Sequence, residues 1–340
     1  MKNILVACLS LWATLQSMAQ SPFPADALDL YAELKDRTVL RSAGLPPLPR
    51  SLLSDALADK NQAAALIEGE LAKNHLEVVL EGEKFARILP ANWRNSPLET
   101  QLSRIQAPKT PAPDEPNTPQ TDGLPKGCIN FFNVDVNEVL KIYAEIRNRT
   151  ILRPVALPYS TIRLRSQTVL TREEAAYALT VVLALNGIAS VDDGEKFVQI
   201  VPSAGAAQAQ SRAPQPEKDS PLIKPWTVPS FEPFSARALI PPQPQPSPPG
   251  AERSLSPPPR FPASTNSTVD DLVAFYATLT TREPIPEEHY GKQPILFKAT
   301  TSLTKAELLY AIETTLALNG FAIARVDEKS IRIERITERR

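Results

Sequence analysis

The pentapeptide Leu183-Ala184-Leu185-Asn186-Gly187 returns 133 positions later as Leu316-Ala317-Leu318-Asn319-Gly320. Residues on either side return at the same offset: Tyr143 and Tyr276, Arg149 and Arg282, Leu170-Thr171 with Glu174 against Leu303-Thr304 with Glu307, and Glu195-Lys196 against Glu328-Lys329. A constant offset across so many residues marks a duplicated structural unit, because a copy must keep its internal spacing to keep its fold. A third, more diverged copy lies 112 positions before the second, with Tyr31, Arg37, Asn74 and Glu83-Lys84-Phe85 at matching places. Residues 31–46 (YAELKDRTVLRSAGLP) read like residues 143–158 (YAEIRNRTILRPVALP), although Gly44 to Pro49 is rich in breakers and the helix word there becomes LAKNH.

The middle copy gives the fullest reading. Ile129 to Val134 is a short β-prone run, after which Asp135 with Glu138 supplies an N-cap and its reciprocal partner. Val136, Val139, Leu140, Tyr143 and Ile146 then fall on one face of a helix. Thr150 to Arg153 and Thr161 to Arg165 read as strands, the second alternating Ile162 and Leu164 with Arg163 and Arg165. A second helix opens at the capping box Thr171 to Glu174, which returns as Thr304 to Glu307 and, in the first copy, as Asp59 to Gln62. From Ala175 to Leu185 this helix is apolar on nearly every face, so it must be covered on both sides, between two small sheets. Asn-Gly at its end fits a left-handed C-cap and accounts for LALNG without any chemistry. Ile188 to Val191 and Phe197 to Val201 close the unit as a hairpin.

The expected fold class is therefore α+β: three small repeated β-α-β-β-α-β-β modules joined by proline-rich linkers. The modules are placed at residues 22–92, 127–203 and 264–337, and the linkers at 105–126 and 204–263. The 35 prolines against 11 glycines gather in those linkers, whose composition favours extended, semi-rigid chain rather than a core.

At the start, Lys2, the apolar run Ile4 to Leu15 and the small residues Ser17 and Ala19 read as a secretory signal peptide cut after Ala19, spanning residues 1–19. Leu5-Val6-Ala7-Cys8 also fits the pattern that precedes a lipid-modified cysteine, and membrane contact is expected only if Cys8 carries such a lipid. With the signal removed, Cys128 is the one cysteine left, which excludes an internal disulfide and suggests a small, partly buried residue at a strand start. Lys plus Arg (37) balance Asp plus Glu (38), so no charged field points to nucleic acid or an anionic membrane.

The stretch from Ile129 to Pro202 resembles the first periplasmic domain of type II secretion secretins, which is itself similar to the short N-terminal signalling domain of TonB-dependent receptors. The resemblance extends over the last copy from Thr268 to Ile336 and part of the first. It implies a Gram-negative, periplasmic setting, with outer-membrane association as a variant, and a role in docking other proteins of a secretion machine. In secretins the domain occurs once and leads to a long β-rich pore module, which nothing in this chain resembles.

No catalytic constellation emerges. His75 and His289 stand in different copies without neighbours at ligand spacing, and are expected as surface or turn residues with no metal. Glu173 and Glu174 are adjacent on a helix and do not face each other. The repeated Tyr31, Tyr143 and Tyr276 with Arg37, Arg149 and Arg282 could be a ligand pair, but Tyr143 lies on the apolar helix face and is expected as a core tyrosine with a partner for its hydroxyl; Phe132 and Phe197 are read likewise as core. Trp12 falls in the signal, and Trp93 and Trp226 fall outside the best-defined copies, which leaves little aromatic platform for a glycan. Asn148-Arg149-Thr150 and Asn266-Ser267-Thr268 fit a glycosylation pattern that matters only in a eukaryotic secretory route. The expectation is an exported, non-enzymatic protein-docking adaptor with no cofactor, no small-molecule substrate and no nucleic-acid partner; its alternative is an envelope spacer or a glycan- or peptidoglycan-binding protein.

Overall fold

The computed structural model describes residues 26–45, 48, 59–108, 123–158, 161–207, 209, 222–223, 267–285 and 292–336. The expected signal peptide, most of both expected linkers, His289, Trp226 and Asn266 lie outside the described residues.

In the first segment the elements are α1 (Ala27–Lys35), β1 (Thr38–Leu40), α2 (Lys60–Lys73), β2 (Leu76–Glu81) and β3 (Phe85–Pro90), followed by α3 (Pro97–Arg104). The middle segment runs β4 (Asn130–Asp135), α4 (Val136–Arg147), β5 (Thr150–Leu152), β6 (Thr161–Arg165), α5 (Arg172–Leu185), β7 (Ile188–Asp193) and β8 (Phe197–Pro202). After a short strand β9 (Leu222–Ile223), the last segment holds β10 (Ser267–Thr268), α6 (Val269–Thr280), β11 (Glu283–Pro284), β12 (Pro294–Ile295), β13 (Leu303–Thr304), α7 (Lys305–Leu318), β14 (Phe321–Arg325) and β15 (Ser330–Arg335). The protein is thus mixed α+β, with several small sheets.

Three of those sheets share one topology. Their orders are β1-β3-β2, β5-β8-β7 and β11-β15-β14, with the hairpin antiparallel and the remaining strand parallel to the central one. The parallel registers fall on equivalent residues: Thr38 opposite Phe85, Thr150 opposite Phe197 and Glu283 opposite Ser330. Each parallel pair begins with one amide bond, Thr38 N–H to the Lys84 carbonyl at 2.7 Å, Thr150 N–H to Lys196 at 2.8 Å and Glu283 N–H to Lys329 at 2.7 Å. Small two-stranded sheets, β4-β6 and β10-β12, accompany the second and third.

Local chemistry explains the helix limits. Asp26, Asp59 and Asp135 each cap by accepting the amide two residues on, from Leu28, Asn61 and Asn137. The expected reciprocal role of Glu138 is not taken up. Asp135 bonds the Asn137 amide at 2.7 Å, and Glu138 turns to Lys141, one turn on, at 2.7 Å. Full capping boxes form at Thr268 with Asp271 and at Thr304 with Glu307. The stop word works through both its residues. Asn74, Asn186 and Asn319 each donate a side-chain amide to the carbonyl four residues back, at 2.8, 2.7 and 2.7 Å, and Gly187 and Gly320 take φ of +76° and +81°. In the first segment His75 occupies that left-handed position with φ 55°.

The described residues gather into two compact units rather than three separate bodies. One comprises those within Met1–Pro97, Lys109–Phe132 and Arg163–Thr171; the other comprises those within Leu98–Pro108, Asn133–Ile162 and Arg172–Arg340. The first unit is centred on Leu28, Tyr31, Ile67, Leu71 and Ile88. In the second, every residue of α5 from Ala175 to Ala184 is buried, as its all-round apolar sequence requires, and Leu152 and Phe197 join the cluster formed by Val269, Tyr276, Leu308, Ile312 and Phe321.

Three features depart from the sequence reading. Proline at its start and the buried Leu102 define α3, in a stretch assigned no element; its Gln101 donates to the Ile188 carbonyl at 3.2 Å. The proline-rich stretches contribute backbone pairing through described residues of their own: Leu124 bridges Leu170, and β9 pairs antiparallel with β13. Cys128 is exposed instead of partly buried, because it lies ahead of β4 rather than in it.

The left-handed positions are directly testable. A Cβ at Gly187 or Gly320 would meet nothing within 4 Å, so substitution there costs backbone strain alone. Gly187→Ala and Gly320→Ala are each expected to lose about 1 kcal/mol in chemical denaturation, and His75→Gly to gain about 1 kcal/mol. Destabilisation by His75→Gly would contradict this account of the stop word.

Candidate functional site

The repeated tyrosines and arginines do not converge on one site. Tyr31, Tyr143 and Tyr276 are 0, 1 and 2% exposed, so no ligand can reach them. Each hydroxyl bonds a residue 37 positions on in the second helix of its segment: Glu68 at 2.8 Å, Thr180 at 2.8 Å and Glu313 at 2.5 Å. Burial, reinforced by the facing carboxylate, raises the Tyr31 and Tyr276 hydroxyls above the ordinary tyrosine range. The arginines instead reach the hairpin turns. Arg37 donates to the Gly82 and Phe85 carbonyls at 2.6 and 3.1 Å, and Arg149 lies 3.2 Å from the Asp192 carboxylate, which Arg147 also holds at 2.7 Å. In the last segment Asp327 is held below the usual carboxylate range first by the Lys329 amide, then by Ser330, with the Arg282 charge adding to it.

A different pair of repeated residues makes contacts between segments. In the first unit, the Gln167 amide donates to Thr38 Oγ1 at 3.0 Å and Lys84 Nζ donates to the Val169 carbonyl at 3.1 Å. In the second unit, the Thr300 amide donates to Thr150 Oγ1 at 3.1 Å and Lys196 Nζ donates to the Ser302 carbonyl at 3.3 Å. Thr38 and Thr150 stand 112 apart, as do Lys84 and Lys196; their partners Gln167 and Thr300, and Val169 and Ser302, stand 133 apart. Both contacts therefore join equivalent atoms: the threonine opening the parallel strand and the lysine of the hairpin turn seize the chain just before the next segment's second helix. Both threonines are fully buried.

The charges around the two contacts differ. At the first, Arg163 lies 2.6 Å from Asp29 and 3.6 Å from Asp26, Arg41 binds Asp26 and lies 3.5 Å from Asp29, and Arg165 lies 3.5 Å from Glu33. Phe132, expected in the core, is only half-buried while its neighbour Phe131 is buried, and the Arg163 guanidinium lies over its ring at 4.5 Å. At the second, Leu296 and Lys298 occupy the places of Arg163 and Arg165, and a cleft of about 340 Å³ opens among Lys141, Glu145, Arg153, Leu296 and Lys298. Burial lowers the Arg153 guanidinium below its ordinary range while it donates to Asn137. Lys196 adds an ion pair with Glu307 at 2.8 Å. Burial alone would raise the Glu307 carboxyl, but Lys196 and the Thr304 amide outweigh it and hold it low. Asp193, fully buried, accepts from Tyr310 and from Gln199 Nε2, the latter at 2.7 Å.

The remaining candidates are dispersed. His75 is an exposed turn residue, Glu173 points to solvent at the start of α5, and Trp93 donates its indole N–H to Glu77 beneath Arg94. Among the described residues no group of three or more His, Cys, Asp or Glu could hold a metal ion, and no helix is long and apolar enough to cross a membrane. The threonine and lysine contacts escaped the sequence reading, although Thr38 and Thr150 follow Arg37 and Arg149 directly and the lysines follow a repeated glutamate. No protein-family model matches the chain, and no curated protein matches it.

Tyr310 offers a probe of the second contact. Burial and its bond to Asp193 push its hydroxyl up to about 12. A hydroxyl whose folded-state value is raised stabilises the fold fully below the unfolded value near 10, and that contribution is lost as pH rises through the folded value. Denaturation between pH 9 and pH 12, roughly spanning those two values, should show a steeper fall in stability for the native chain than for Tyr310→Phe. Equal slopes would contradict the buried bond.

Proposed function

We propose that this protein is an exported, non-enzymatic adaptor of the Gram-negative envelope, built of three secretin-type N-terminal modules on proline-rich linkers, that docks onto a type II secretion-like assembly in the periplasm. The modules are residues 22–92, 127–203 and 264–337, and the signal peptide is removed after Ala19.

One observation carries the reading: the residues that recur most faithfully through the chain are used to hold its own fold and to join one segment to the next. Tyrosine hydroxyls tie helix to helix, arginines tie helix ends to hairpins, and Thr38, Thr150, Lys84 and Lys196 tie segments together. That is the economy of a scaffold that displays surface. The margins of its sheets, such as β2 with exposed Leu80 and β14 running into exposed Val326, provide edges to which a partner strand can add. The contacts between segments also favour a second reading, a spacer whose length rather than whose surface matters.

The mature chain, immobilised and presented with detergent-solubilised envelope of a secretion-competent Gram-negative cell, is expected to retain secretin or inner-membrane secretion components. The retention should weaken when Ile323→Pro disables the β14 edge. Retention of peptidoglycan alone would overturn the docking role in favour of cell-wall binding, and retention of nothing would overturn it and leave the spacer.

A further inference from the structure

We propose that the first module carries a charge-coded docking groove that admits the arm of the middle module and rejects that of the last, so that the order of modules is written in side chains as well as in the chain. The arm is the stretch before each second helix, residues 161–171 in the middle module and 294–304 in the last. This rests on the three-module reading above.

Two layers make up the code. The shared layer is the threonine acceptor with the lysine donor, which grips backbone and so is blind to the arm's side chains: Thr38 and Lys84 on one face, Thr150 and Lys196 on the next. It makes either arm acceptable to either face. The selective layer is ionic. On the first face Asp26 is 6% exposed and Arg41 is 6% exposed, and Arg163 enters between Asp26 and Asp29 while Arg165 meets Glu33. On the second face Glu138 and Glu145 keep the carboxylates of Asp26 and Glu33, but the position of Asp29 is held by Lys141, and the arm brings Leu296 where the other brings Arg163.

Exchanging the arms is penalised in both directions. The last module's arm would lay Leu296 against half-buried Asp29 and remove the closer of its two cations, leaving it Arg41 alone at 3.5 Å. The middle module's arm would bring Arg163 against Lys141, placing like charges together and setting the two cations in competition for Glu138, which Lys141 holds at 2.7 Å. The cleft of about 340 Å³ at the second face is lined by Leu296 and Lys141, the residues that stand where the first contact has Arg163 and Asp29. The last module repeats only part of the shared layer. It keeps Lys329 but has exposed Glu283 and half-buried Ser330 where the other faces bury Thr38 with Phe85 and Thr150 with Phe197, and Ile285 is 39% exposed where Leu40 and Leu152 are fully buried. Its face departs from the docking pattern in both size and polarity.

Amide hydrogen exchange of the full chain reads the two contacts separately, at Gln167 for the first and Thr300 for the second. Exchanging the arm residues, Arg163→Leu with Leu296→Arg, should speed exchange at both amides by at least about tenfold. Adding Asp29→Lys with Lys141→Asp, which exchanges the faces to match, should recover most of that protection. Unchanged exchange in the first variant, or no recovery in the second, would overturn the code. Thr38→Val and Thr150→Val separate this from the module reading itself: equivalent modules require each to release its own amide to a similar extent, and unequal responses would count against the modules whatever the charge exchange shows. Should the four-fold variant fail to fold, the pair Asp29→Arg and Arg163→Asp tests the code within the first contact alone. Each single change should accelerate exchange at Gln167 and the double should slow it again; a double as fast as the singles would overturn the code.

Discussion

Each of the three larger sheets is closed by a parallel strand pair, and that closure governs the rest of the structure. A parallel neighbour cannot be reached by a tight turn, so the chain must travel through a helix and a hairpin before the last strand lies beside the first. Thr38 meets Phe85, Thr150 meets Phe197 and Glu283 meets Ser330 after the whole of the second helix has been laid down. The other recurrent bonds serve that closure. The tyrosine fixes the first helix on the second, the asparagine and its left-handed neighbour turn the second helix into the hairpin, and the arginine ties the first helix's end to the hairpin turn.

Small size supplies the second constraint. Segments of this length leave a large share of their surface unburied, and the opening strand of each three-stranded sheet is only two or three residues long. Covering such a sheet needs material from outside it. In the second unit Leu152 and Phe197 complete a cluster with residues of the last segment, and in the first unit residues from Arg163 onward lie over Thr38. The boundary between compact units consequently passes through the middle segment instead of through a linker, which is where composition alone puts the boundaries.

Much of this is legible in the chain because it depends on local rules. The period of Val136, Val139, Leu140 and Tyr143 specifies α4, the alternation of Ile162 and Leu164 specifies β6, and the all-apolar run from Ala175 specifies a helix buried on every side. Tyr143 is legible as core because it sits on an apolar face, and the LALNG words as helix stops because Asn and Gly suit left-handed backbone. What is not legible depends on long-range neighbours. The amide to which Thr38 is bound lies 129 residues away, and no pattern near Thr38 announces it. Asp135 caps the Asn137 amide while Glu138 pairs with Lys141, an alternative partner that the spacing of the capping residues alone does not weigh. The exposure of Cys128 and the presence of α3 escape a reading by period because neither belongs to a periodic run.

Native-state hydrogen exchange measures the closing parallel bonds one at a time. The Thr38, Thr150 and Glu283 amides donate across the closing pair to Lys84, Lys196 and Lys329. If closure governs each segment, these three amides exchange as slowly as those in the middle of the second helices, opening only with the whole segment. Exchange at the rate of frayed strand ends, while the helices and hairpins stay protected, would show that the segments hold together without the closing strand and would contradict the account.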